Sequence, residues 1–155
     1  MSGLNAEHIN PFLIAATKIL KDMCFVDAKI GKPYIKNADF TENTLVIIIG
    51  ITGEIRGQVM IAFPDYVACD IASKMMMMPV TQLDELSTSA VCELGNMIMG
   101  NTATILSTKG IGIDITPPSI CSGNVSFSQL YSQNICVPLQ YDNDKIIEIN
   151  IAVMN

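Results

Sequence analysis

Between Leu86 and Thr108 the chain carries a single charged residue, Glu93. Wound as a helix at about 100° per residue with Glu93 at 0°, Ser89 falls near −40°, Asn96 near −60° and Gly100 near −20°. Val91, Leu94, Ile98 and Ile105 gather on the other side, between about 100° and 160°. A carboxylate that can pair with a cation and a carboxamide that can donate and accept at once thus lie one turn apart. Small Ser89, Gly100 and Ala103 border them and leave a narrow strip that another surface can approach closely. Gly100 in mid-helix costs roughly 1 kcal/mol relative to alanine, so the residue calls for a packing or access reason. The plainer alternative is a solvated helix face with poor helix formers.

Other chemistries lack their residues. His8 is the only histidine, near the N-terminus, so Ser-His and Cys-His nucleophile pairs and zinc sites have almost nothing to draw on. No phosphate-binding G-x-x-x-x-G-K-[ST] loop occurs, and Gly110-Ile-Gly112 lacks the third glycine of a dinucleotide fingerprint. No cysteine is followed six positions later by the arginine of a cysteine-phosphatase loop. Asp142-x-Asp144 lies where a hairpin turn is wanted, and its carboxylates read as solvated. The run Met75 to Met78 could attract soft metals, but at a helix end without a thiolate beside it core packing is the better reading. Cys24, Cys69, Cys92, Cys121 and Cys136 form no C-x-x-C pair and read as small buried hydrophobes in a reducing compartment.

The elements that must carry this strip follow from periodicity. Asn10 to Cys24 is helical, with Pro11 at its start; Asp65 to Met78 is a second helix; Leu86 to about Ser107, preceded by Asp84 and ended near Gly110, is the third and longest. Strands are expected at Lys29 to Ile35, Thr44 to Gly50, Gln58 to Phe63, Ile113 to Thr116, Val125 to Ser128, Ile135 to Tyr141 and Lys145 to Met154. Glycines between Ile51 and Gly57 and the tetrapeptide Asp142 to Lys145 supply hairpin turns. Ile30-x-x-Pro33-x-Ile35 reappears as Ile115-x-x-Pro118-x-Ile120 at an offset of 85, and the hairpin from Asn43 matches that from Asn134 at 91. The expectation is an α/β protein of the α+β type. Its mostly antiparallel sheet comes from two pseudo-repeated helix-strand-hairpin units, with long helices packed on one face.

A chain of 155 residues, half of them hydrophobic, makes one domain over residues 1–155 with a core that needs no disulfide or metal. Ten Gly and seven Pro are an ordinary share, which removes low-complexity and disordered readings. Net charge −6, with no basic cluster beyond scattered Lys29, Lys32 and Lys36, argues against nucleic acid. No apolar run reaches the ~20 residues of a membrane span. The first residues have neither the basic nor the apolar region of a signal peptide, so the cytoplasm is expected.

Ser89-x3-Glu93-x2-Asn96-x21-Pro118 resembles, at every fixed position, the [Asp/Ser]-x3-Glu-x2-Asn-x21-Pro signature of the CheC, CheX and FliY chemotaxis phosphatases. The neighbourhood Glu-Leu-Gly-Asn-Met-Ile-Met-Gly-Asn is also similar to that family, as is the duplicated element order over nearly the whole chain. At the 85-residue offset Glu93 and Asn96 correspond to His8 and Pro11, so only one copy carries the motif. That departs from two-site CheC and is similar to single-site CheX.

The resemblance implies hydrolysis of the phosphoaspartate of the response regulator CheY, with Mg²⁺ and a lysine supplied by the regulator and no cofactor in this chain. It also implies catalytic roles for Asn96, holding the attacking water, and Glu93, pairing with that lysine. Ser89, Gly100 and Pro118 would border the site. Two alternatives stand beside it: a receiver-binding module without hydrolysis, and a homodimeric structural subunit. A homodimer is expected on the enzyme reading too, with the Thr44 to Gly50 strand edge as one available surface.

Overall fold

The computed structural model describes residues 6–37, 39–41, 43–122, 125–126 and 133–153. Helix α1 (Ala6–Cys24) begins four residues before Asn10, so Pro11 lies inside it and not at its start. The ring has no N–H for the carbonyl of Glu7, a loss that the first turns of a well-packed helix absorb. Phe12, Ala16, Ile19 and Leu20 join the main core, and Leu13 packs with Ile135 and Val137.

The predicted strand Lys29 to Ile35 is split into β1 (Lys29–Ile30) and β2 (Tyr34–Ile35). A short strand β3 (Asp39–Phe40) follows, then the hairpin of β4 (Thr44–Gly53) and β5 (Gly57–Pro64) and helix α2 (Asp65–Met76). Helix α3 (Glu85–Thr108) leads into β6 (Ile113–Ile115), β7 (Ser119–Ser122) and β8 (Val125–Ser126). A second hairpin, β9 (Gln133–Tyr141) and β10 (Lys145–Val153), completes the described chain. The ends of two predicted strands, beyond Ser126 and at Met154, lie outside the described residues. Two left-handed residues, Asp142 and Asn143, turn the second hairpin, as an Asx-rich turn requires.

The main sheet runs β1-β9-β10-β5-β4-β6, with β2 also on β9 and β7 also on β4. Every described pairing is antiparallel. Each half therefore lends its short strands to the other half's hairpin. In both copies the short strands advance four residues while the partner advances three: Ile30 and Tyr34 face Leu139 and Cys136, and Ile115 and Ser119 face Ile51 and Ile48. The extra residue makes a bulge, and the repeated prolines, Pro33 and Pro118, sit in it, where no ladder N–H is needed. The same pairings relate β4 to β9 at 88 residues (Ile51 to Leu139, Ile48 to Cys136), so the offset of 91 read from the sequence is three residues out of register.

With β5 on one side and β6 and β7 on the other, β4 has no free edge, and Leu45, Val46, Ile47 and Ile49 are buried. The expectation that Thr44 to Gly50 offers an exposed edge is thus corrected. Its β-branched residues alternate onto two buried faces: Ile47 and Ile49 meet the three helices, while Val46 packs with Phe40, Met60, Ala62 and Ala152 on the opposite face. All three helices contribute to the core on one face. No helix among the described residues is long and apolar enough to cross a membrane.

Candidate functional site

Helix α3 is held at both of its working points. At its start Asp84 and Ser87 form a reciprocal cap: Ser87 N–H donates to Asp84 Oδ1 at 2.8 Å, and Asp84 N–H donates to Ser87 Oγ at 2.8 Å. The Ser87 backbone and hydroxyl bonds hold the Asp84 carboxyl below its ordinary value. Further along, Gly95 lets the helix settle on the sheet. A Cβ there would lie 3.1 Å from Ile47 Cγ2 and 3.6 Å from Ile61 Cδ1. Val91, Leu94, Ile98 and Met99 are buried on this side, and Ile105 is half-buried.

The opposite face carries the strip. Ser89 and Glu93 are exposed, and Asn96 and Gly100 are half-buried. A side chain at Gly100 would meet nothing within 4 Å, so no packing against the described residues explains this glycine, and the helix is open to approach there. Among the described residues no hydrogen bond or ion pair engages the side chain of Glu93 or Asn96. Both are therefore available to a partner. Cys92 beside them has its thiol pushed up by burial and then by the Glu93 carboxylate, which keeps it a poor nucleophile.

Pro118 sits in the bulge between β6, against which α3 packs, and β7. Before it, Thr116 Oγ1 accepts from Gly50 N–H at 2.8 Å and pins the bulge to β4. In the first half the positions at the 85-residue offset hold neither side chain of the motif: Pro11 is buried, and His8 is a half-buried member of α1. Cys24 and Cys136 are buried and the other three cysteines half-buried, all unpaired. Burial pushes the thiols of Cys24 and Cys136 up to about 11. Asp142 and Asp144 are exposed in the hairpin turn, paired with Lys145 at 3.8 and 3.4 Å.

The methionine run divides. Helix α2 stops at Met76; Met75 and Met76 pack against the core, but Met77 and Met78 are exposed. Core packing is thus right for half the run. Leu86, also exposed, belongs to the strip's face at about 20° on the same wheel, a position overlooked because a leucine near a helix start reads as core.

The family model described as chemotaxis phosphatase CheX matches residues 45–140. This chain belongs to the CheX family. The CheY-P phosphatase CheX of Thermotoga maritima is 31% identical over 151 residues, 97% of each chain. Among solved structures, CheX in its complex with CheY, BeF3 and Mg²⁺ from Borrelia burgdorferi is 34% identical with a TM-score of 0.81, over 97% of this chain and 100% of that one. A CheC-like superfamily protein from a Shewanella species is 30% identical with a TM-score of 0.87, over 98% and 100%. In this CheX-family chain the unpartnered pair Glu93 and Asn96 lies on the long helix, and among the described residues no cluster of three or more His, Cys, Asp or Glu could hold a metal ion.

Proposed function

We propose that this chain hydrolyses the phosphoaspartate of phosphorylated CheY and so ends a chemotaxis signal, working in the cytoplasm as one domain. The observation that carries the reading is the pair Glu93 and Asn96, one turn apart on the open face of α3 with no partner among the described residues. Hydrolysis of an acyl phosphate needs water aimed in line at phosphorus and compensation of the charge that develops on the phosphoryl oxygens. Asn96 serves the first need, its carboxamide holding the water through one donor and one acceptor. The water's oxygen bonds to phosphorus as the phosphorus–oxygen bond to the aspartate breaks, leaving the free carboxylate and inorganic phosphate.

Glu93 pairs with the regulator's active-site lysine and sets the register in which Asn96 meets the phosphoryl group. Mg²⁺ comes with the regulator, on the substrate side of the interface, and compensates phosphoryl charge there. Ser89, Gly100 and Pro118 border the site: Ser89 and Gly100 keep the helix slim where the regulator approaches, and Pro118 shapes the strand end beside it. The chain works as a homodimer. With β4 covered on both sides, pairing along a strand edge falls to the outer strands, β1 and β2 or β6 and β7. The test is the decay of phospho-CheY in Mg²⁺ buffer with and without this protein. Accelerated decay supports hydrolysis; binding without acceleration leaves a receiver-binding module.

A further inference from the structure

We propose that the strip on α3 continues towards the helix N-terminus into an apolar anchor, Leu86 with Met78, that seats the receiver domain while Asn96 acts on its phosphoaspartate; this rests on the function proposed above. Leu86 is 66% exposed and Met78 53%. Leu86 stands seven residues before Glu93, about 10 Å along the axis and within about 20° of the same direction, so a body resting on Glu93 and Asn96 reaches it without turning the helix.

The surroundings are built, not frayed. Met77, in the left-handed conformation at φ 56°, ends α2 and turns the chain outwards, its N–H donating to the carbonyl of Ser73. Ser73 Oγ accepts from Val80 N–H at 2.9 Å, and the Asp84–Ser87 cap fixes the far end of the same segment. Between these pins lies an open depression of about 310 Å³ lined by Met76, Met78, Pro79, Leu83 and Leu86 among others. Val80 and Leu83 from this segment reach the core; Leu86 and Met78 do not, although both are as apolar. Apolar groups held in water beside a functional strip mark a contact surface, and thioethers adapt to the shape of what covers them.

Charge narrows the occupant. From Met75 to Thr108 the chain has three acidic residues, Asp84, Glu85 and Glu93, and no lysine or arginine. The surface therefore fits an apolar side chain of the receiver flanked by basic residues, in line with the lysine that Glu93 engages.

The test uses the full-length protein with Leu86→Ser, Met78→Ser and the double variant. Each is assayed for affinity to beryllofluoride-activated CheY and for kcat and KM with phospho-CheY. The double variant is expected to raise Kd and KM about tenfold or more with kcat within about twofold, and Leu86→Met should restore affinity. Unchanged Kd in a double variant with a wild-type circular dichroism spectrum overturns the anchor. So does a changed oligomeric state with unchanged Kd, which assigns the face to a second copy of this chain. If the wild-type protein neither binds nor dephosphorylates CheY, the functional reading fails and the anchor with it; if the wild type is active and the variants bind as it does, the anchor alone fails.

Discussion

Glu93 and Asn96 are neighbours on one helix turn, and on the proposed function they act on different quantities. A carboxylate that becomes desolvated against a lysine both orients and tightens a complex, so Glu93→Ala should weaken binding of activated CheY by roughly 2 to 5 kcal/mol and slow turnover as well. Calorimetric titration with beryllofluoride-activated regulator reads the first effect and steady-state hydrolysis the second. Because Glu93 is exposed and has no partner among the described residues, the thermal midpoint should stay at the wild-type value. On α1 the repeat places His8 where a second site would need a glutamate, and its follower, Pro11, is buried. His8→Ala is accordingly expected to leave kcat/KM within about twofold, and a large loss with the fold intact would mean that a second site had been misjudged.

At the scale of elements, the site depends on how closely α3 lies on the sheet. Gly95 sits close to the sheet, since a Cβ would come to 3.1 Å from Ile47 Cγ2, tighter than most such contacts. Gly95→Leu should cost about 1–3 kcal/mol by overpacking, read as a lowered thermal midpoint, and should shift the strip as well. Asp84→Ala, which opens the helix cap, should cost about 1 kcal/mol, read as a lowered thermal midpoint. Most of this element was readable in advance: Asp84 marked its start, Gly110 its end, and the wheel separated Glu93 and Asn96 from Val91, Leu94 and Ile98. What escaped was decided by pairing at a distance. The run Lys29 to Ile35 has a strand's composition, but only alignment on β9 shows that residues 31–33 bulge out, and β7 carries too few apolar residues to announce itself. Likewise β4 reads as an edge or a centre with equal ease, because β-branched runs suit either; strands from the other half settle it. Local rules also carried the second helix two residues too far, past the left-handed turn at Met77.

Across the whole molecule the two halves are cross-linked by polar groups as well as by strands. Asp70, on α2, receives the hydroxyl of Tyr141 on β9 at 2.7 Å and the ammonium of Lys74 at 3.0 Å. Partial burial works to raise its carboxyl, but these bonds outweigh it, and the group is held below its ordinary value. The ionised form is thus favoured by folding. Its contribution is present above the unfolded carboxylate range, near pH 4, and is lost as pH falls through the lower folded value. Asp70→Asn should therefore reduce stability at neutral pH and flatten the acid limb of a stability-against-pH profile measured by denaturant titration. On the proposed function, the assembled scaffold presents the Asn96 amide to one phosphoryl group. The most direct test is steady-state hydrolysis of phospho-CheY by the wild-type protein and by Asn96→Ala, at equal occupancy of the regulator. The account predicts that the wild type accelerates dephosphorylation and that Asn96→Ala lowers kcat by ~10²-fold or more while binding of activated CheY survives. Near-wild-type turnover in Asn96→Ala would contradict it.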